Sequence, residues 1–326
     1  MTITLQRVAA AFDPGYLQLI LLPTEGCNFR CTYCYEDFKL GRMDRAVVDG
    51  IKALIRNRAA DLHTLEIGWF GGEPLIAKDI VCDISEYILD ITRRYSGLAY
   101  KAGMTTNGYL LDCALARRLD SLGVRDYQIS LDGEGEVHDR TRVHANGRGT
   151  FDRIWANLLA LRDSNLELSV LLRVHFSPDS YPYIHQLVAS INREFGGDPR
   201  FSVLFKAVER LGGLNDASIR VFSSANKVRL KQELQGELAY RGQIDVLSSS
   251  DEPYICYASK PNSLVVRSDG TIGKCTVALY DERNRIGRLN PDGTLQVDQG
   301  KFRTWIRGFG SMDEEDLACP YATLSS

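Results

Sequence analysis

The stretch Cys27-Asn28-Phe29-Arg30-Cys31-Thr32-Tyr33-Cys34 decides how the rest of the chain is interpreted. It places three cysteines within eight residues, at the spacing C-x₃-C-x₂-C. Thiolates are soft ligands suited to iron–sulfur clusters and to zinc, and three of them in one short loop can converge on a single metal centre. A tetrahedral centre needs four ligands. Either a distant residue completes the set, or one position is left open to a ligand that is not protein.

Two other interpretations of this loop are weaker. Incidental buried cysteines rarely occur at such density in one loop. Structural zinc usually shows paired C-x₂-C motifs, or C-x₂-C together with H-x₃₋₅-H, and neither accompanies the loop. The spacing therefore favours an iron–sulfur centre, with zinc as its main competitor.

Length and composition limit the class of protein. With 326 residues, the chain can form a large single barrel with an appendage, or two domains. The net charge is −3 and no basic run exceeds Arg93-Arg94 or Arg117-Arg118, which excludes an electrostatic footprint for nucleic acid. No apolar stretch approaches a membrane span, and the N-terminus lacks the apolar core of a signal peptide. We expect a cytoplasmic protein without a membrane partner, because reduced thiols and clusters both need the cytosol.

Strand and helix patterns alternate along the first three quarters of the chain. An apolar run at residues 16–22 stops at Pro23 and predicts a buried strand. Further strands are predicted at 65–70, 100–105, 127–131, 168–174 and 202–207, and helices at 45–62, 79–95, 112–122, 151–164, 183–195 and 224–240. Six βα units predict an α/β fold with a parallel sheet, either open and doubly wound or a partial (β/α)₆ TIM-like barrel.

Unusual residue clusters follow each predicted strand, where ligands bind in parallel α/β folds. In chain order they are the cysteines, Gly71-Gly72-Glu73-Pro74, Thr105-Thr106-Asn107-Gly108, Ser130-Leu131-Asp132-Gly133, Arg173 with His175, and Glu209-Arg210-Leu211-Gly212-Gly213. Two glycines let backbone approach a ligand closely, and a carboxylate such as Glu73 can accept from an ammonium group. An arginine such as Arg173 in an apolar strand must point at an anion or at open water.

This set of motifs resembles the radical S-adenosylmethionine (SAM) enzymes. The resemblance implies that Cys27, Cys31 and Cys34 hold a [4Fe–4S] cluster, whose open iron is chelated by the amino and carboxylate groups of SAM. The reduced cluster then cleaves SAM to a 5′-deoxyadenosyl radical, while the protein orients cluster, SAM and a substrate C–H bond.

The resemblance also implies roles for the residues at the strand ends, and no catalytic residue is assigned. The predicted SAM contacts are Gly71, Gly72, Glu73 and Pro74 at the amino group, Arg173 at the carboxylate, Ser130 and Asp132 at the ribose, Tyr33 along the adenine, and Asn107. Two of these sets have a structural alternative: a tight βα turn at the two glycines, and a capping turn at Ser130 and Asp132. His175, which is not among these contacts, is interpreted as a satisfied interior histidine in preference to a catalytic one.

The segment after the fourth predicted strand carries motifs that point to one branch of the superfamily. His138-Asp139-Arg140, Gly147 and Gly149-Thr150-Phe151 resemble the branch of the superfamily that modifies peptides and proteins. The structural alternative is an exposed polar loop with a threonine N-cap.

A polar, turn-rich boundary is predicted near residues 248–253, dividing a lead-in at 1–15 and a barrel at 16–247 from an extension at 248–326. Beyond it, hairpins are predicted around Ser268-Asp269-Gly270, with Cys275 on the second strand, and around Asp292-Gly293. Cys256, Cys275 and Cys319 resemble the cysteines of SPASM and twitch extensions, which hold auxiliary clusters. Position 322 is Ala where a full SPASM pattern has Cys. One auxiliary cluster, a domain without a cluster, and a truncated chain remain open alternatives. Cys82 and Cys113 are interpreted as packing residues.

The sequence therefore predicts a radical SAM enzyme that modifies a ribosomally made precursor peptide. The outcome could be epimerisation, a crosslink, or excision of a backbone fragment as in tyramine splicing. Expected partners are the precursor peptide, a separate small leader-recognition protein, and a flavodoxin or ferredoxin-type reductant. The alternatives are a protein-maturing enzyme of the sulfatase-maturase type and a non-catalytic iron–sulfur electron carrier.

Overall fold

The computed structural model of the chain describes residues 3–239 and 254–324. The chain divides into two compact units. The first comprises Met1–Gly26, Phe38–Ala102 and Ser250–Ser326, and the second comprises Cys27–Asp37 and Gly103–Ser249.

Strands and helices alternate through most of the chain. The strands are β1 Tyr16–Leu21, β2 Thr64–Trp69, β3 Ala99–Thr106, β4 Val124–Leu131, β5 Ser169–Phe176, β6 Phe201–Ala207, β7 Ser263–Val266, β8 Thr271–Gly273, β9 Gly287–Leu289 and β10 Leu295–Val297. The helices are α1 Leu5–Ala11, α2 Arg45–Arg58, α3 Lys78–Arg94, α4 Cys113–Asp120, α5 Glu136–Asp139, α6 Phe151–Arg162, α7 Tyr181–Phe195, α8 Ser224–Gly236, α9 Gln299–Ile306, α10 Gly308–Ser311, α11 Glu314–Ala318 and α12 Pro320–Thr323.

In the first unit, β1 pairs in parallel with β2 on one side and with β7 on the other. Leu19 lies opposite Ile67 of β2 and Leu264 of β7. From β7 onward, each strand pairs antiparallel with the next, through β8, β9 and β10. The turn between β7 and β8 contains Gly270 at φ +83°, a conformation that glycine adopts without steric cost. The predicted C-terminal hairpins therefore extend the sheet that contains β1.

In the second unit, β4, β5 and β6 pair in parallel. Val170 of β5 lies opposite Tyr127 of β4 and Phe201 of β6. The connecting helices α6 and α7 are amphipathic, with Ile154 and Leu187 fully buried. This is the pattern that parallel strands with helical crossovers require.

The predicted α/β class is confirmed, and strands β1 to β6 and their main helices begin and end within four residues of the predicted positions. Helix α2 ends at Arg58, before predicted residue 62, because a turn with Asp61 N donating to Arg58 O redirects the chain toward β2. The predicted boundary at 248–253 lies outside the described residues, and helix α8 ends at Gly236, four residues before its predicted end at 240.

One placement in the extension was wrong. Strand β8 ends at Gly273, so Cys275 lies beyond the hairpin strand on which it was predicted. The side chain of Asn284 replaces the strand partner, because its Oδ1 accepts hydrogen bonds from Lys274 N at 2.8 Å and from Cys275 N at 3.0 Å. None of the helices in the described parts of the chain combines the length and hydrophobicity of a membrane-spanning helix.

Candidate active site

The cysteine loop, residues 27–37, pairs with the backbone of the segment that follows β4. Arg30 N donates to Val143 O at 2.8 Å, and Thr32 N donates to Thr141 O at 2.9 Å. These main-chain hydrogen bonds fix the course of the loop through the position of the second cysteine. The segment after β4, interpreted from sequence as a mark of one enzyme branch, therefore has a structural use.

Side chains anchor the start of the same loop. Phe29 is only 1% exposed, forms an antiparallel bridge with His144, and meets the ring of Tyr109 edge-on at 5.7 Å. Asn107, predicted to contact SAM, donates from Nδ2 to Asn28 Oδ1 at 2.8 Å. Its Oδ1 accepts a hydrogen bond from Tyr109 N at 3.0 Å. Asn107 is thus brought to the cysteine loop, where its amide holds backbone and side chains in place.

The loop after β6 packs against the third cysteine. A Cβ added to Gly213 would lie 2.3 Å from Cys34 O, so only glycine fits this approach. Asn215 Nδ2 donates to Thr32 O at 3.1 Å. Of the Gly-Gly pair named after the sixth strand, Gly213 therefore serves a close backbone contact within the unit, whereas Gly212 has a positive φ of +91°.

The three thiols are partly exposed and unbridged. Phe29 N donates to Cys27 Sγ at 3.3 Å, the kind of backbone contact that stabilises a thiolate or a cluster sulfur. Burial raises the pKa of Cys31, opposed by the charge of Arg142, and burial raises the pKa of Cys34 to about 12. Metal binding must displace these protons, so loading of the site is coupled to thiol deprotonation.

Three thiols from one fixed loop form a donor set that suits an iron–sulfur cluster. Across the described residues, no three or more His, Cys, Asp or Glu side chains are gathered tightly enough to hold a single metal ion. A cube of four irons and four sulfides spreads its thiolate ligands more widely than one ion does.

A buried polar network surrounds Tyr33, the residue between the second and third cysteines. Tyr33 OH donates to Asp132 Oδ1 at 2.9 Å and accepts from Arg142 Nη1, also at 2.9 Å. Thr141 Oγ1 donates to Asp132 Oδ2 at 2.7 Å, and His175 Nδ1 lies 3.5 Å from Asp132 Oδ1. Tyr33 and Asp132, both predicted SAM contacts, are therefore joined to each other through protein hydrogen bonds.

The charges of this network are strongly coupled. Burial acts to raise the pKa of Asp132, but the hydrogen bond from His175 and the charge of Arg142 outweigh it, so the pKa is lowered. Burial lowers the pKa of His175 and of His138 to about 4. Both imidazoles are therefore neutral near pH 7, in agreement with the interior role considered for His175.

Ser130 and Arg173 are neighbours on paired strands. Ser130 of β4 lies opposite Arg173 of β5 in the parallel register. Arg173 Nε is buried and has no hydrogen-bond partner among the described residues. Burial lowers the pKa of Arg173, while the nearby hydroxyls of Tyr33 and Tyr35 act to raise it. A half-buried guanidinium with a buried, unused donor fits an anionic ligand such as the carboxylate of SAM.

A cavity of about 190 Å³ lies in the same unit. Its lining includes Tyr33, Asp132, Thr141 and His175 from the network, and Ser177 after β5. The cavity thus borders the middle of the cysteine loop and the carboxyl end of two parallel strands, where ligands bind in such folds.

The predicted Gly71-Gly72-Glu73-Pro74 motif lies in the first unit, after β2. Gly71 has φ +109°, and a Cβ there would lie 2.3 Å from Thr24 O. Glu73 is fully buried, and its Oε1 caps a short 3₁₀ turn by accepting from Leu75 N at 3.0 Å. Pro74 begins that turn. The tight-turn alternative describes the local structure, and the role at the amino group of SAM stays a prediction.

Alanine at Gly72 is expected to destabilise the protein. The new Cβ would lie 2.4 Å from Gly26 O, and overpacking of this kind typically costs about 1–3 kcal/mol. The measurement is the free energy of unfolding in denaturant. Gly97→Ala is the matched control, because no atom lies within 4 Å of a Cβ there. Equal stability of the two variants would contradict the packing argument.

The three cysteines of the extension influence one another. Burial, together with the charges of Cys275 and Cys319, raises the pKa of Cys256 to about 11. Burial likewise raises the pKa of Cys275. The first unit therefore brings these thiols into the same neighbourhood, and an auxiliary cluster remains a prediction.

Several site residues were missed by sequence reasoning. Arg142, Thr141 and Asn215 lie in polar stretches without periodic pattern, and nothing in the spacing signals that Arg142 is only 7% exposed. Their contacts are set by the way two loops pair, which local sequence does not encode.

The fold and the site define a parallel-strand α/β protein with a three-thiol metal loop after its first strand. A sequence profile of the Radical SAM superfamily matches residues 21–188, which is more than half of the chain. The chain therefore belongs to the radical SAM superfamily. Enzymes of this superfamily use a [4Fe–4S] cluster and SAM, and these are the cofactors of this chain.

Two kinds of curated relatives are similar in sequence. A GTP 3′,8-cyclase from Microcystis aeruginosa is 33% identical over 152 residues, covering 44% of this chain and 43% of the cyclase. A cysteine-type anaerobic sulfatase-maturating enzyme from Clostridium perfringens is 26% identical over 338 residues, covering 94% of this chain and 87% of that enzyme. The chain spans less than half the length of the cyclase it matches.

Solved structures share the fold. The structure of histidine-tagged anSMEcpe with bound AdoMet is 19% identical, covers 88% of this chain and 80% of that chain, and has a TM-score of 0.66. The structure of Streptococcus suis SuiB bound to S-adenosylmethionine is 16% identical, covers 91% of this chain and 68% of that chain, and has a TM-score of 0.65.

Proposed function

We propose that this radical SAM enzyme modifies a residue of a ribosomally made precursor peptide. The observation that carries a polypeptide substrate is the extent of similarity to the sulfatase-maturating enzyme of Clostridium perfringens, which includes the C-terminal extension. Structures of similar fold include anSMEcpe with a bound Kp18Cys peptide and SuiB bound to precursor peptide SuiA. Similarity to the cyclase covers 44% of the chain, so GTP is the rival substrate that the experiment below includes.

The bound cluster and SAM would supply a 5′-deoxyadenosyl radical that abstracts hydrogen from a C–H bond of the peptide. The protein's own residues bind and orient. Cys27, Cys31 and Cys34 would hold the cluster, and main-chain hydrogen bonds fix the course of their loop. Such preorganisation avoids reordering the ligands during each turnover.

The residues of the polar network leave room for a ribose. A carboxylate offers about four lone-pair sites, and Asp132 uses three on Tyr33, Thr141 and His175. We assign the remaining site to a ribose hydroxyl. Ser130, near the end of β4, is the second residue that we assign to the ribose. The neutral His175 then acts as a positioning residue that holds Asp132 in orientation.

Replacing Arg173 with methionine is expected to weaken SAM binding. A hydrogen bond to a charged group contributes about 1.5–3 kcal/mol, which corresponds to roughly 10- to 100-fold in the dissociation constant. The measurement is equilibrium binding of SAM to the reconstituted enzyme. Arg148→Met serves as the control, because Arg148 is an exposed arginine of the same unit. Unchanged affinity in Arg173→Met would assign the carboxylate to another group.

The proposal is tested by incubating the reconstituted enzyme anaerobically with reductant, SAM and a co-expressed precursor peptide. We expect 5′-deoxyadenosine and a modified peptide, seen as a mass change or, for epimerisation, as deuterium uptake from D₂O. With a deuterated peptide residue, we expect deuterium to move from that residue into 5′-deoxyadenosine. A non-catalytic electron carrier would form no 5′-deoxyadenosine. Turnover that requires a folded sulfatase would favour the protein-maturing alternative, and turnover of GTP alone would replace the peptide proposal.

Partners follow from the same proposal. The substrate is the precursor peptide, and a flavodoxin or ferredoxin-type protein would supply the electron. A separate small protein would recognise the leader, which co-purification of the enzyme with the products of neighbouring genes would test. Tight binding of the leader by the enzyme alone would remove the need for that protein.

A further inference from the structure

The structure points to a second role for the segment that holds the cysteine loop. Thr32 pairs with Thr141, and Arg30 pairs with Val143, through main-chain hydrogen bonds. Cys31 lies between Arg30 and Thr32 in the cysteine loop, and Arg142 lies between Thr141 and Val143 in the facing segment. This antiparallel register therefore places Arg142 directly opposite Cys31. Directly opposed residues of an antiparallel pair project their side chains to the same face.

Arg142 is a buried cation. Its side chain is 7% exposed, its Nη1 donates to the neutral hydroxyl of Tyr33, and its guanidinium lies 5.8 Å from the centre of the Phe29 ring. Its Nε is buried without a hydrogen-bond partner, and Asp132 is a carboxylate whose charge acts on Arg142. Tyr33 and Phe29 are neutral, so of these neighbours only the carboxylate of Asp132 offsets part of the positive charge.

A buried charge is costly unless other charges balance it. A [4Fe–4S] cluster held by three thiolates is net negative, and it becomes more negative by one electron when an external donor reduces it. A fixed cation beside one ligand stabilises the reduced cluster more than the oxidised one, and net charge is one of the factors that set cluster potentials.

We propose that Arg142 is a positioning residue whose buried charge, opposite Cys31, raises the reduction potential of the cluster. Asp132 acts in the opposite sense, because its carboxylate is near enough to interact with Cys31. Tyr33 holds the guanidinium in place through its hydroxyl. The inference depends on the cluster of the family and not on the identity of the substrate.

The test is an anaerobic redox titration, followed by electron paramagnetic resonance, of the full-length reconstituted protein without SAM. The Cys34→Ala variant identifies the redox transition of the loop cluster, because that transition should be absent from it. We expect Arg142→Met to reduce the ratio of reduced to oxidised cluster about tenfold at a fixed potential, a negative shift of about 59 mV for one electron. Arg142→Lys, which keeps the charge, should stay near the wild-type potential. Asp132→Asn should shift the potential in the positive direction.

Two results would overturn the inference. One is an unchanged potential in Arg142→Met at full iron content, and the other is an Arg142→Lys shift as large as that of Arg142→Met, which would assign the effect to packing. Should Arg142→Met fail to retain iron, Asp132→Asn decides alone: a positive shift supports the charge argument, and no shift or a negative one refutes it.

Discussion

Replacing Cys31 with alanine is expected to abolish formation of 5′-deoxyadenosine and to deplete the loop of iron. Cys31 is the central one of the three proposed cluster ligands, and the backbone of its loop is paired on both sides of it. Loss of an outer-shell partner typically costs 10–100-fold in metal affinity or activity, so loss of a direct ligand should cost at least about 100-fold. Iron and sulfide content together with 5′-deoxyadenosine yield measure the effect.

Two control variants make the Cys31 experiment specific. Cys113→Ala removes a partly exposed cysteine at the start of α4, in the same unit, and should retain full iron and activity. Cys275→Ala should remove only iron that the extension holds. Substantial 5′-deoxyadenosine from Cys31→Ala would mean that this loop does not carry the cluster.

The strand and helix pattern could be predicted because burial of one face leaves a periodic record in sequence. Strand β1 reads as an apolar run, and helix α2 repeats apolar residues at Val47, Val48, Ile51 and Leu54, all of which are buried. Strand β8 was predicted too long, because the side chain of Asn284 accepts the hydrogen bonds that a strand partner would have accepted. The hydrophobic periodicity of the sequence does not indicate where a side chain takes the place of a strand partner.

The site was predictable where chemistry requires a residue type, and not where geometry alone is required. Three cysteines at this spacing predict a metal-binding loop. The pairing of Thr141 and Val143 with that loop uses only backbone atoms, so it requires no particular residue type and leaves no signal in the sequence. Arg142 sits in a polar stretch that looks solvent-exposed, yet it is buried by the pairing of two loops. A residue's burial in such a segment depends on contacts that are set by tertiary structure.

The motif after β2 illustrates how one pattern can serve two purposes. Gly71 and Gly72 were predicted to let a ligand approach the backbone closely. Both also lie so close to backbone carbonyl groups of the segment after β1 that a side chain would clash there. Glu73 was predicted at the amino group of SAM, and one of its oxygens caps the next turn. These observations are compatible, since a rigid turn also fixes the position of its remaining polar groups.

Replacing Arg267 with methionine is expected to be strongly destabilising. Arg267 follows β7 and forms a bidentate pair with Glu25, with Nε–Oε1 at 3.0 Å and Nη2–Oε2 at 2.6 Å. The two side chains are 5% and 0% exposed. Removing one partner leaves a buried uncompensated charge, which typically costs about 3–5 kcal/mol. The 242 positions that separate the two residues explain why sequence did not reveal the pair.

The free energy of unfolding in denaturant measures this effect, and two comparisons isolate its cause. Arg93→Met breaks an ion pair of the same length, 2.6 Å, whose side chains are 74% and 57% exposed, and should cost under about 1 kcal/mol. The double variant Glu25→Gln with Arg267→Met removes both buried charges and should recover part of the lost stability. If Arg267→Met alone is no less stable than Arg93→Met, the Arg267–Glu25 pair does not stabilise the packing of β7 beside β1. If the double variant is no more stable than Arg267→Met, the loss comes from packing and from the Arg267 hydrogen bond to Leu279 O, and not from the stranded carboxylate.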